Sequence, residues 1–267
     1  MDKVIGKQLK KVLKQEEKLL QKPGGTFMKP LTDKVEDKIP EELYKKLQQA
    51  FYTGFKMVFE KGSNIIEKTY DRDQLMIRHD VYDASFEKVN KKKSLKEINK
   101  LAGKGHWKNM SLTAIEGTGL GLLGIGLPDI PVFIGVVLKS IYEIALSYGY
   151  DYREETEQYF ILKLIEAALA PEEEKEAYND GVDQLMNHLI AKTPLGYDID
   201  LQMRNTADSL AADMLCIKFL QGLPVVGVIG GPANVIYCKR ISEYAKVKYQ
   251  KRYLLEKDKR IAQQKEQ

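Results

Sequence analysis

The chain has 267 residues, is 43% hydrophobic and 30% charged, and carries a net charge of +4, which is long enough for one or two buried cores and too apolar for global disorder. A mean hydropathy of −0.38 excludes a many-span membrane protein, because each span needs about 20 mostly apolar residues. Cys216 and Cys238 share no ligand-type spacing and exclude a disulfide framework; with no apolar secretory stretch at the start, the expectation is an intracellular protein, soluble or membrane-associated.

In chain order, Ile5, Leu9, Val12, Leu13 and Leu20 predict a helix over 4–20, ended by Pro23-Gly24-Gly25. Residues 1–22 sum to +4. Pro40-Glu41-Glu42 suits a first turn, and the stripe Leu43, Leu47, Ala50, Phe51, Gly54, Phe55, Val58, Phe59 marks one buried face. A further helix is predicted over 71–90. A lysine run follows, with Lys88, Lys91, Lys92, Lys93, Lys96, Lys100, Lys104 and Lys108 against Glu97 alone. Ser94-Leu-Lys-Glu97 and Asp151-Tyr-Arg-Glu154 have capping-box form. Helices are predicted from Asp151 to Leu169, from Pro171 to about Ile190, and over 200–220 and 232–258, with Thr193-Pro-Leu-Gly196 as a loop. Residues 239–267 sum to +6, which leaves −6 for the interior. Lysine outnumbers arginine 35 to 7, a balance that suits diffuse attraction to an anionic surface better than bidentate reading of bases. Strand-type alternation is absent, so the expected fold is all-α, of roughly eight to ten helices.

Two glycine-rich apolar segments stand apart. Residues 117–138 carry one charge, Asp129, and residues 219–237 carry none. Each approaches bilayer length, but Pro128 and Pro131 break the first, and Pro224 and Pro232 the second. Helical hairpins with arms too short to span fit better. The two look like copies: Gly126-Leu-Pro128 matches Gly222-Leu-Pro224, and Lys139-x-Ile141-x-Glu143-x-Ala145 matches Lys239-x-Ile241-x-Glu243-x-Ala245. The predicted architecture is a single multi-helix bundle with two pseudo-repeated Gly/Pro-rich hairpins lying side by side. Gly119-Leu-Gly121-Leu-Leu-Gly124 satisfies a dinucleotide-type spacing, but no strand precedes it, so it is read as coincidence.

Gly126-Leu-Pro-Asp129-Ile-Pro131, Tyr148-Gly149-Tyr150-Asp151 with Phe160 and Leu162, and Leu223-Pro-Val-Val-Gly227-Val-Ile-Gly230-Gly231 with Asn234, Ala245, Tyr249 and Arg252 resemble the bacterial EcsC family over roughly 95–255. The resemblance implies a helical fold and a membrane-related role beside an ABC-type exporter linked to secretion. It implies no known reaction and assigns no functional residue. On this reading residues 1–60 form an N-terminal helical extension and 61–267 the family-like domain.

The ligand or lipid-contact candidates are Asp129, Glu143, Tyr148, Tyr150, Asp151 and Asn234. Several have a plain structural alternative: Asp129 as a helix cap before Pro131, Glu143 as the partner of Lys139 four positions earlier on the same helix face, and Tyr148-Gly149-Tyr150-Asp151 as a corner with Gly149 in a left-handed helix cap. The basic candidates for facing a membrane are Lys91, Lys92, Lys93, Lys239, Arg240, Lys248, Lys251 and Arg252. His79, His106 and His188 form no metal-type cluster, and no metal or cofactor is expected. The expected function is that of a membrane-associated helical protein. It would sit at the inner face of the bacterial cell membrane, bind an anionic surface or lipid, or assist an ABC transporter, and bind no nucleic acid. The alternative is a soluble helical enzyme for an apolar or lipid-like substrate, with Glu143, Asp151, Glu154 or Glu155 converging in a closed cavity.

Overall fold

In the computed structural model of the protein, the described residues are 2–21, 40–62, 66–89, 91–103, 129–220 and 232–266. Residues 117–128 and 221–231, with both Gly-Leu-Pro turns, and His106 and Trp107 lie outside them. Among the described residues all regular structure is helical: α1 (Lys3–Gln21), α2 (Glu41–Met57) continued by a π-turn (Val58–Gly62), α3 (Arg72–Lys88), α4 (Lys91–Leu101), α5 (Asp129–Ser147), α6 (Glu155–Leu169), α7 (Lys175–Ala191), α8 (Ile199–Leu220) and α9 (Pro232–Glu266).

The core forms around α5, which packs against α2, α3, α4 and α9. Its window Ile130–Ser147 is long and apolar enough to cross a bilayer, yet 94% of it is buried inside the protein, so other helices cover the face that lipid would otherwise cover. Pro131 sits in its first turn, where a missing N–H costs nothing. The second half of the first glycine-rich segment is therefore the opening of one continuous helix that runs on through Lys139 and Glu143. On the other side, α8 packs between α2 and α6, and α7 closes on α6 and α9. The stripe read from α2 is buried at Leu47, Ala50, Phe51, Gly54 and Phe55, with Phe51 edge-on to Phe133 of α5 at 6.2 Å. Ile5, Leu9 and Val12 of α1 belong to the same hydrophobic cluster as α2, α5 and α9.

Local signals decide several ends. Asp71 caps α3 by accepting the Gln74 N–H at 2.8 Å. After α5, Gly149 takes φ +85°, and the amides of Gly149 and Tyr150 donate to Leu146 O and Ala145 O, both at 3.0 Å. That is the predicted left-handed cap, in Schellman form. Two capping boxes are not used as caps. Helix α4 begins at Lys91, so Ser94 is buried within it. Helix α6 begins at Glu155, because Asp151 is spent on an ion pair with Arg72 at 2.7 Å and on the Arg153 amide at 3.1 Å.

Candidate functional site

Three lysine-rich elements meet at Asp2. Its carboxylate caps α1 by accepting the amides of Val4 (2.9 Å) and Ile5 (3.3 Å). The other oxygen accepts from Lys91 Nζ of α4 at 2.6 Å, and the Asp2 amide donates to Asp258 of α9 at 2.8 Å. The Lys91 ammonium holds the Asp2 carboxyl below the usual range. Around this junction α1 turns Ile5, Leu9, Val12 and Glu16 inward. Lys3, Lys7, Lys10, Lys11, Lys14 and Lys18 form the opposite, exposed stripe. Lys92, Lys93, Lys96 and Lys100 of α4, and Lys259, Arg260 and Lys265 of α9, are exposed as well. The basic runs, far apart in sequence, thus adjoin in space.

Helix α9 divides its cations between three tasks. Lys248, Lys251 and Arg252 were expected to face a membrane and instead point inward. Lys248 is 0% exposed; it donates to Glu16 of α1 and, at 2.6 Å, to Asp183 of α7. Lys251 bonds the same two carboxylates at 2.8 and 2.6 Å. Arg252 pairs with buried Glu157 of α6 at 2.8 Å and lies 4.0 Å from the Tyr150 ring centre. Charges this deep are tolerated because carboxylates and hydrogen bonds replace their hydration. The last turns of the helix, past Lys257, carry the exposed cations named above.

The first turns of α9 line a cleft of about 400 Å³. Its apolar walls are Leu19 and Leu20 of α1, Ala167 and Ala168 of α6 and Ile236; its polar lining is Lys175 of α7, Lys239, Arg240, Glu243 and Tyr244. Lys239 is 58% exposed at the mouth and lies 4.0 Å from Glu243. Arg240 is deeper. Its Nη1 stands 3.9 Å from Asp213 of α8, too far for a hydrogen bond, and neither Nη1 nor Nη2 has a hydrogen-bond partner among the described residues. Burial lowers the Lys175 ammonium pKa, and Arg240 nearby lowers it further. Burial also raises the Asp213 carboxyl.

The remaining predicted residues do not form one site. Asp129 and Asn234 fall at helix starts whose side chains lie outside the described residues. Glu143 is buried 3.9 Å from Lys139, which donates to Thr69 O at 3.2 Å; burial pushes the Glu143 carboxyl up to about 7, with Lys139 opposing. Tyr148 donates to Asn99 at 3.0 Å. Tyr150 packs under Arg252, and Asp151 pairs with Arg72. Glu154 and Glu155 are exposed, so the carboxylates named for an enzyme occupy separate settings. Among the described residues no group of three His, Cys, Asp or Glu could hold a metal. His79 is buried against Ser147 O at 3.0 Å, and Cys238 is buried, its thiol pushed up to about 12.

Sequence reasoning missed Lys175 and Asp213. Lys175 follows four residues of a Pro-Glu run that reads as a solvated helix start, and Asp213 lies on α8 with nothing nearby in sequence to mark it. Only the tertiary approach of α7 and α8 to α9 brings them to Arg240.

The sequence model of the EcsC protein family matches residues 6–254. Protein EcsC of Bacillus subtilis (strain 168) is 25% identical over 234 residues, covering 86% of this chain and 87% of the relative. Protein YdbA of the same strain is 29% identical over 151 residues, covering 52% of this chain and 51% of YdbA. No solved structure matches the chain.

Proposed function

The chain belongs to the EcsC family, and on that footing we propose that it is a peripheral membrane protein that docks on an anionic bilayer surface through the lysine faces of α1, α4 and the end of α9. The observation that carries this reading is the junction at Asp2, where Lys91 and Asp258 tie these three elements together. An amphipathic helix with a cationic outer stripe meets a charged surface without having to leave the protein. Each lysine near such a surface contributes about 1 kcal/mol, so the six on α1 alone suffice for measurable binding. Lysine also fits the task chemically: a compact, hydrated ammonium on a flexible stem suits a fluid array of headgroups.

The test is co-sedimentation with vesicles containing phosphatidylglycerol, against vesicles of phosphatidylcholine alone. The reading requires binding to the anionic vesicles at low salt and release as salt shortens the screening length from about 10 Å at 0.1 M toward 3 Å at 1 M. Protein that stays in the supernatant at low salt, or binds both vesicle types alike, refutes it.

A further inference from the structure

We infer that the outer face of α3 and the turn that follows it, with Ile77, Val81 and Val89, enter the interfacial layer of an anionic bilayer. This rests on the docking reading above and deepens it, because it names the side chains that leave water.

Among the described residues six large hydrophobic side chains are exposed, and three of them lie here: Ile77 at 61%, Val81 at 59% and Val89 at 82%. Ile77 and Val81 stand one turn apart on α3, and exposed Ala84 continues the row. The opposite side of the same helix turns Leu75, His79, Tyr82 and Phe86 toward the core. A helix that is apolar on both sides is found where both sides are covered. Here the described residues cover only one. Val89 is held in place, since its amide donates to Ser85 O at 2.9 Å, so it projects from a formed helix end.

The charges around the row point to a negatively charged cover. Lys88 and Lys92 are exposed on either side of Val89. The carboxylates near the turn are matched already: Asp83 and Glu87 to Lys257 at 2.7 and 2.8 Å, and Asp2 to Lys91 at 2.6 Å. Asp258 accepts the Asp2 amide. Further back, Arg78 and Asp80 are exposed with opposite charges, and Asp73 lies 3.5 Å from Arg72. The turn is therefore the cationic end of the row. Lys91 also ties it to the Asp2 junction, which makes it continuous with the lysine faces of α1 and α9. Exposed apolar groups rimmed by polar ones mark an interaction surface, and lysines favour an anionic one. Ammoniums on long stems stay level with lipid phosphates while the short branched side chains beside them sit deeper.

The assay places a reporter in the row. Val81→Trp and Val89→Trp are made separately in a chain whose one tryptophan, Trp107, is replaced by phenylalanine. Leu201→Trp, at an exposed position on α8, is the comparison. Each is mixed with phosphatidylglycerol vesicles carrying brominated acyl chains, and binding is followed in parallel by co-sedimentation. Insertion predicts blue-shifted emission and bromine quenching at positions 81 and 89, and neither at 201. A chain with Ile77→Gln, Val81→Gln and Val89→Gln alters no charge, and its affinity for the vesicles should fall roughly tenfold or more.

The inference is overturned if the chain sediments with the vesicles while positions 81 and 89 emit as in water, or if the triple glutamine variant binds like the parent. Docking through the lysine faces survives either result. A chain that does not bind anionic vesicles removes both ideas. Emission from position 81 that is blue-shifted without vesicles, with a dimer that the triple variant loses, assigns the face to a second copy of the chain and overturns insertion.

Discussion

Ser140 Oγ of α5 and Ser242 Oγ of α9 lie 2.6 Å apart. They join the two helices within the stretches that repeat in sequence, Lys139-x-Ile141-x-Glu143 and Lys239-x-Ile241-x-Glu243. Both isoleucines are fully buried. The charged pairs are alike in spacing, at 3.9 and 4.0 Å, and opposite in setting: Lys139 and Glu143 are 8% and 9% exposed, Lys239 and Glu243 58% and 41%. The first pair is sealed in the core. The second lines a cleft.

The sealed pair makes stability depend on pH. The Glu143 carboxyl is raised by burial from 4.5 to about 7. Between those values the folded state keeps a proton that the unfolded state has released, so stability falls as pH rises from about 4.5 through 7. The loss is on the order of 3 kcal/mol across that window. Urea denaturation of Glu143→Gln against the parent chain at several pH values should give a difference that changes across this window and is flat above it. A difference independent of pH contradicts the assignment.

Two glycines should respond in opposite senses to the same substitution. Gly149 holds φ +85°, and a Cβ there would meet His79 Nε2 at 2.3 Å. Gly149→Ala should cost about 2–3 kcal/mol. Gly181 lies inside α7 with nothing within 4 Å of an added Cβ, so Gly181→Ala should stabilise by about 0.5–1 kcal/mol. Melting temperatures moving apart in this way would confirm both local readings; a shift in the same direction would refute one of them.

Helix α1 is pinned by a buried ion quartet of Glu16, Asp183, Lys248 and Lys251. Glu16→Ala leaves two inward lysines sharing one carboxylate, a change that costs about 3–5 kcal/mol where pairs are fully buried. Hydrogen exchange should rise across α1 first, because its main packing partner is α9. Equal protection of α1 in both proteins would show that its apolar stripe alone holds it.

Arg252 and Glu157 form the second buried pair, with Tyr249 donating to Glu157 at 2.6 Å. Removing Glu157 leaves buried Arg252 with Glu256 alone, at 3.3 Å, whereas removing both partners leaves no charge at that buried position. Glu157→Leu should therefore destabilise by about 3–5 kcal/mol, and the double change Glu157→Leu with Arg252→Met by much less. Additive losses would contradict the pairing.

Much of the fold was legible in the sequence because helix periodicity is a local property. The stripe of α2, the cap at Asp71 and the left-handed turn at Gly149 follow from neighbours within a few residues. The candidate site was legible only in part. Lys239 and Arg240 stood out as basic, but nothing within α9 distinguishes them from Lys248 or Arg252, which are buried. That distinction is made by Glu16, Asp183 and Glu157, which lie on other helices. The Asp151 capping box went unused for the same reason, since Arg72 arrives from α3 to claim the carboxylate.

The most direct measurement of the central claim is the salt dependence of vesicle binding for the parent chain and for a Lys7→Glu, Lys10→Glu, Lys14→Glu variant. All three positions are exposed on α1, opposite the stripe that packs on the core, so the fold should persist, as circular dichroism would verify. Docking through the lysine faces predicts that the parent binds phosphatidylglycerol vesicles with a steep fall as salt rises, and that the variant loses most of that binding at low salt. A variant that binds as tightly as the parent, with the same response to salt, would contradict it.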